Sequence, residues 1–292
     1  MIDDKLYTLI VLERERNYTK TAAICHISQP AVTQHIKSLE DFYGIKIFKR
    51  NGRELLLTIE GELLVKNARR LYALNNKIKS EIELSLKKLK QLNIGITLTA
   101  GGYFIPEILK VFKENYPLIK FNFHTDLAEN LINRINNFEL DFAIIDGIPP
   151  KNNLNKTLLS MDQLIVIANN SHPLLNEKNV SFDMLKKEDF ILRHDTADTR
   201  KAFDAYLKNH LETIDDFNII LEIDNTALIK ELIIKGYGIS IMSKALCEQN
   251  IKQGAIKEIK INDFKLERGI YLVYPQNLKN NEIITSIINI KK

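Results

Sequence analysis

Residues Ser28 to Ser38, SQPAVTQHIKS, set a hydroxyl, an amide and an ammonium on one side of a single helix. At about 100° per residue Thr33, Gln34 and Lys37 share a face, with Pro30 and Ser38 beside them. Those groups suit nucleic acid. A glutamine amide bonds bidentately to adenine, a threonine meets a thymine methyl or a phosphate, and a lysine pairs with phosphate. On the opposite side Val32, Ile36 and Leu39 recur at i, i+4 and i+7, the spacing of a buried stripe.

Local signals position this face. Ser28 is expected to accept from the free N–H groups of the first turn, and Pro30 falls where a missing N–H costs little. Gly44 is a stop residue. Upstream, Thr21-Ala22-Ala23-Ile24 offers small side chains that permit close helix approach, with Asn17 to Thr19 as a break and Thr19 as the expected cap. Asp4 to Glu13 reads as a first helix, with Leu6, Leu9, Ile10 and Val11 facing inward. Downstream, Ile45 to Leu57 alternates and contains Asn51-Gly52, a strong hairpin signal, with Lys49, Arg50 and Arg53 at its tip. An isolated basic hairpin is a solvated turn. Beside a helix-turn-helix it reads as a wing on phosphates or the minor groove.

The string AAICHISQPAVTQHIKSLEDFYGIKIFKR, followed by LTIEG at Leu57 to Gly61, resembles the N-terminal domain of LysR-type transcriptional regulators. The resemblance implies a winged helix-turn-helix, with DNA contacts from Thr19, Ser28, Gln29, Pro30, Thr33, Gln34, Lys37, Arg50 and Arg53. The family more often has arginine at Gln34, so A·T pairs are expected to be favoured there.

Charge follows the same division. Residues 1–90 hold 17 Lys and Arg against 11 Asp and Glu, an excess of 6. The remainder holds 24 against 26, a deficit of 2, so the basic balance sits with the expected DNA reader. No apolar run would span a bilayer and Met1 to Asp4 is not a basic signal, so no membrane partner and a cytoplasmic location are expected. Cys25 and Cys247 lack metal-type spacing and read as separate buried thiols.

From Thr58 to about Leu92 no proline occurs, and Leu64, Ala68, Leu71, Leu74, Ile78, Ile82, Leu86 and Leu89 form one apolar stripe. Alone such a helix could not bury it, so a partner helix is implied. The resemblance implies that this linker pairs two subunits, as a dimer or tetramer.

After the linker, strand and helix patterns alternate: a strand at Ile94 to Thr99, a helix at Tyr103 to Tyr116, then strands at Ile119 to Thr125 and Phe142 to Ile145. That order specifies a parallel sheet with right-handed crossovers. Pro149-Pro150 and Lys151 to Lys156 read as a crossing into a second lobe, whose first strand is expected at Leu164 to Ala168. The expected division is 1–58 for the DNA reader, 59–92 for the linker and 93–292 for a two-lobed α/β domain. Its lobe I is 93–160 and 266–292, and its lobe II is 161–265. It is similar to the periplasmic-binding-protein-like effector domain of the same family.

Ligands in such sheets bind at strand carboxyl ends near helix N-termini. Thr97-Leu98-Thr99-Ala100-Gly101-Gly102 reads as a strand end followed by a glycine turn, with Thr99 and the Gly101 and Gly102 amides placed for a carboxylate or other small anion. Thr125, Asp126, Asp146 and Asn225 stand at other strand ends. Arg193, His194 and Thr196 belong to the run RHDTADTR. The family often has Gly-Ser-Gly-Thr-Arg there. This chain keeps only Thr199-Arg200 and brings in Asp195 and Asp198, which tells against a purely anionic effector.

No enzyme motif is complete. Lys235-Gly236-Tyr237-Gly238 lacks a dinucleotide fingerprint's third glycine, and His194-Asp195 has no nucleophile elbow. His26 and His35 lack zinc spacing, so neither metal nor cofactor is expected. The expected protein is a regulator of the LysR type whose partners are a dyad in double-stranded promoter DNA, a small-molecule effector and its own copies. RNA polymerase is a candidate further partner. The alternatives are an enzyme fused to a DNA-binding domain and a constitutive DNA-binding protein without effector response.

Overall fold

The structure is a computed structural model that describes residues 4–51, 54–86, 90–149, 153–262, 264–279 and 281–290. Contacts divide the chain into two units. One is Met1–Leu92 with Leu118–Lys120 and Asn133–Leu140, and the other is Asn93–Pro117, Phe121–Ile132 and Asp141–Lys292.

The N-terminal helices are α1 (Asp4–Glu15), α2 (Tyr18–Cys25) and α3 (Gln29–Tyr43), followed by the antiparallel hairpin β1 (Phe48–Asn51) and β2 (Glu54–Leu57). Leu9, Leu12, Ala22, Val32, Ile36, Leu39 and Ile47 form their core. Asn17, not Thr19, caps α2: its side chain accepts from Lys20 N at 3.0 Å, while Thr19 is an exposed residue of the first turn. Asn17 stands in extended conformation just before the first helical residue, where a side-chain oxygen can reach a first-turn N–H, as an N-cap must. Gly52 and Arg53 lie outside the described residues.

Helix α4 (Ile59–Leu86) is 28 residues, roughly 42 Å at 1.5 Å per residue. Its stripe divides. Ala68 is buried, whereas Leu71, Leu74, Ile78 and Ile82 are exposed; Leu89 lies outside the described residues. The helix stops short of the expected Leu92, because residues 90–92 already belong to strand β3 (Lys90–Ile96).

Beyond it come α5 (Leu98–Asn115), β4 (Ile119–Thr125), α6 (Ala128–Asn136), β5 (Phe142–Asp146), the long β6 (Asn155–Asn169), α7 (Phe182–Leu185) and β7 (Asp189–Leu192). They are followed by α8 (Asp198–Asn209), β8 (Asn218–Glu222), α9 (Thr226–Ile234), β9 (Ser240–Ser243), α10 (Lys244–Lys252), β10 (Ile256–Ile259), β11 (Leu266–Tyr274) and α11 (Glu282–Asn289). A seven-stranded sheet runs β10-β6-β11-β5-β3-β4, with β9 also on β6, and β7 pairs β8 separately in parallel.

Strands β3 and β5 are parallel, as a βαβ unit requires. The crossing between lobes differs from the expected polar loop. It is a pair of long antiparallel strands, β6 and β11, paired from Leu164↔Leu266 to Asn155↔Tyr274 with one register shift between Ile270 and Tyr271. Residues 150–152 lie outside the described residues. Phe104, Ile108 and Phe112 of α5 are fully buried with the first lobe's strands, and Phe190, Phe203 and Phe217 pack edge-on or stacked in the second. Among the described residues no helix is long and apolar enough to cross a membrane.

Candidate functional site

The first candidate surface is the outer face of α3. Ser28 caps the helix, accepting from Ala31 N at 3.3 Å; Pro30 sits in the first turn, and Gly44 ends it in the left-handed conformation at φ +66°. Val32, Ile36 and Leu39 are buried, so the helix can present only its other side. Gln29, Pro30, Thr33, Gln34 and Lys37 are exposed there, and Gln29 Nε2 donates to Thr33 Oγ1 at 3.3 Å.

The hairpin is fixed to this helix by one carboxylate. Glu40 accepts from Lys46 Nζ at 2.8 Å and from the Ile47 N–H at 2.9 Å, while Lys49 and Arg50 stay exposed. The Leu-Thr-x-x-Gly segment closes the far end. Thr58 N donates to Ile47 O at 3.0 Å and Thr58 Oγ1 accepts from Gly61 N at 2.9 Å. A Cβ on Gly61 would lie 2.2 Å from Ile47 O, so only glycine fits.

The second candidate is a cleft of about 230 Å³ in the two-lobed domain. It is lined by Thr97, Thr99, Thr125, Asp126, Asp146 and Arg193 from the expected set, and by Leu98, Leu127, Ala197, Asp198 and Asp224. Thr97 precedes α5 in extended conformation but does not cap it. Its hydroxyl donates to Asp146 Oδ1 instead, which leaves the first N–H groups of an 18-residue helix without a side-chain acceptor.

Asp146 also pairs with Arg268 Nη1. Arg268 Nε reaches Asp162 Oδ2 at 3.0 Å, and Asp162 accepts from Ser243 Oγ at 2.6 Å. This buried chain runs from β3's end through β5, β11 and β6 to β9. Burial pushes the Asp162 carboxyl up in spite of Arg268. At the cleft wall Arg193 Nη2 donates to Asp224 Oδ1 at 3.3 Å. Burial first, then the charge of Asp146, push the Asp198 carboxyl above the usual range, with Lys201, Arg268 and Arg193 opposing.

Other expected positions lie elsewhere. Gly101 and Gly102 belong to α5, not to a turn: Gly101 N donates to Thr97 O at 2.8 Å, so its amide is consumed by the helix. Gly102 serves packing, since a Cβ there would lie 2.4 Å from Leu246 Cδ2 of α10. Ala100 is buried inside α5. Asn225 spends its side chain capping α9, accepting from Ala227 N and Leu228 N at 3.1 Å. His194 and Thr196 are exposed outside the cleft, the first lying 4.0 Å from Glu222. Arg200 is buried between Asp204 and Glu222 and ties α8 to β8.

Two family profiles cover this arrangement. That of bacterial regulatory helix-turn-helix proteins of the lysR family matches residues 4–62, and that of the LysR substrate binding domain matches residues 88–290. The chain belongs to the LysR family. The HTH-type transcriptional regulator CysL of Bacillus subtilis is 28% identical over 99% of this chain and 97% of its own length. Full-length CbnR in complex with its target DNA superposes with a TM-score of 0.68, at 15% identity, over 98% of this chain and 97% of that one. That likeness concerns the fold of a LysR regulator. The Synechocystis CcmR regulatory domain in complex with 2-PG is 26% identical, with a TM-score of 0.62, over 70% of this chain and 98% of that domain. This LysR-family protein therefore carries the family's two parts in order: a helix-turn-helix and a two-lobed α/β domain.

Proposed function

We propose that this LysR-family chain is a cytoplasmic regulator, not an enzyme, that reads an interrupted dyad in double-stranded DNA and answers to a small molecule held in the cleft. The observation that carries the reading is the exposure of Thr33, Gln34 and Lys37 on a helix whose opposite face is fully buried. Gln34 specifies a base; Thr33 and Lys37, with Arg50 of the hairpin, set register and supply salt-dependent affinity. Thr19, Ser28, Gln29 and Pro30, all exposed at the starts of α2 and α3, approach the backbone. One such helix reads too few bases to be selective, so two readers work together on half-sites about 34 Å, or a multiple of that, apart.

Helix α4 supplies the pairing. Its exposed Leu71, Leu74, Ile78 and Ile82 would be buried by the same helix of a second copy, giving a dimer or a tetramer. Residues 1–58, 59–92 and 93–292 then act as reader, strut and sensor. The ligand site is taken to be the cleft at the start of α5, with Thr99 and the free amides as its centre. A ligand that favours one arrangement of the lobes would shift the population that engages DNA.

Footprinting on the DNA flanking the protein's own gene tests the main claim. Protection of two half-sites on one face of the duplex is expected. Uniform protection that fades with salt and shows no preferred site would refute it.

A further inference from the structure

The cleft is unusually acidic for a site built on a helix N-terminus. Four aspartates line it, Asp126, Asp146, Asp198 and Asp224, against the single cation Arg193. Two of the four are already matched. Asp146 pairs with Arg268, and Asp224 with Arg193 at 3.3 Å. Asp126 is committed to neutral donors, accepting from Leu127 N at 2.8 Å and Asn130 Nδ2 at 2.7 Å. Among the described residues, Asp198 has no cation within ion-pairing distance.

The start of α5 in the same cleft offers donors instead. Thr97 gives its hydroxyl to Asp146, so the free amides at the start of α5 have no side-chain acceptor. Thr99 beside them is only 4% exposed and lines the cleft, yet its hydroxyl has no hydrogen-bond partner among the described residues. A hydroxyl on a nearly buried side chain that lines the cleft, beside free N–H groups, is placed to donate to an acceptor from outside the chain. Among the described residues no group of three or more carboxylate, histidine or cysteine side chains is close enough to hold a metal ion. A cation carried on an organic frame with an acceptor meets both sets of groups at once.

We propose that the effector is a small zwitterion, an amino acid or a close relative, with its carboxylate at the first turn of α5 beside Thr99 and its protonated amine beside Asp198. The proposal rests on the reading of this cleft as the effector site. A volume of about 230 Å³ suits a compact metabolite and not an extended one. Asp198 stands in the first turn of α8, so one rigid element delivers the carboxylate and another the donors.

Titration calorimetry on the full-length protein tests it, using the twenty L-amino acids and, for each binder, the acid of the same skeleton lacking the amine. At least one amino acid is expected to bind, and loss of the amine to weaken it tenfold or more. Asp198→Asn should weaken the amino acid about tenfold and shrink the ratio between the two ligands, while Thr99→Val weakens both alike. Circular dichroism confirms that each variant is folded. Binding of the amine-free acids as tightly as the amino acids, or no binding by any amino acid, overturns the proposal. If those acids bind and Thr99→Val still weakens them, the cleft stands and only the ligand class falls. Binding indifferent to both substitutions overturns the cleft assignment itself.

Discussion

Arg268 Nε lies 3.0 Å from Asp162 Oδ2, and the two residues face each other across the antiparallel strands that join the lobes. The same guanidinium reaches Asp146 at the floor of the cleft. One buried cation thus serves two carboxylates, one on β5 and one on β6. Replacing it with Arg268→Met leaves two buried carboxylates unpaired and should cost about 3–5 kcal/mol, a fall in Tm of roughly 10 °C. A melt unchanged within 2 °C or so would show that the pair only balances its own desolvation.

The glycines of α5 give a sharper test of what that segment is. Gly101 has ordinary space around a Cβ, the nearest atom being 3.6 Å away, so Gly101→Ala should stabilise the helix by up to about 1 kcal/mol. Effector response should survive. Gly102→Ala forces the end of Leu246 aside and should be neutral or mildly destabilising, by about 1 kcal/mol or less. Loss of ligand affinity in Gly101→Ala without loss of stability would restore the anion-cradle reading of these residues.

On the DNA face, Gln34→Ala should relax preference at one base pair by about 1–3 kcal/mol, measured by binding to a set of single-base operator variants. Lys37→Ala should weaken every sequence alike and reduce the slope of log affinity against log salt by about 1. If the two variants behaved identically, the division between reading and anchoring would be wrong.

The Asp198 carboxyl titrates above its ordinary value of 3.8 because of burial and the nearby charge of Asp146. Its protonated form is thus favoured by the folded chain, so its contribution to stability grows as pH falls through the raised folded value toward 3.8 and is lost as pH rises. In the ligand-free protein at pH 7 the charge is a cost. Asp198→Asn should raise Tm at pH 7 by about 1–3 °C, allowing for solvent screening, with the gap closing near pH 4. A variant less stable than the parent at pH 7 would contradict this.

Leu71→Glu with Ile78→Glu places two charges on the exposed stripe of α4. Sedimentation equilibrium should show self-association weakened tenfold or more while each subunit stays folded. Unaltered association would move the contact off this helix.

The DNA-reading part was legible because its determinants are local. Ser28, Pro30 and Gly44 mark helix ends within a few residues, and the i, i+4, i+7 spacing of Val32, Ile36 and Leu39 needs no knowledge of distant chain. The cleft was legible only in part. Thr97-Leu98-Thr99 is β-branched and apolar enough to pass for strand, and two glycines after it read as a turn. The second glycine answers to packing and not to a turn: Leu246 of α10 presses where a side chain on Gly102 would go. The local signals of α10 and β10 are weak: KALCEQNIK buries only Cys247 and IKEI is four residues. Asp224 and Leu127 reach the cleft through their neighbours' folding, and no spacing rule marks them. His194 and Asn225 have suitable chemistry, but one is turned to solvent and the other caps its own helix.

The first turn of α4 runs so close to the hairpin that a single methyl at Gly61 would collide with the carbonyl of Ile47. A joint with no clearance has no backlash. The start of α4 is thus tied to the hairpin, and the Ile47 N–H, through Glu40, ties the hairpin to α3. Among the described residues, strut, hairpin and reading helix are therefore held as one fixed set of contacts.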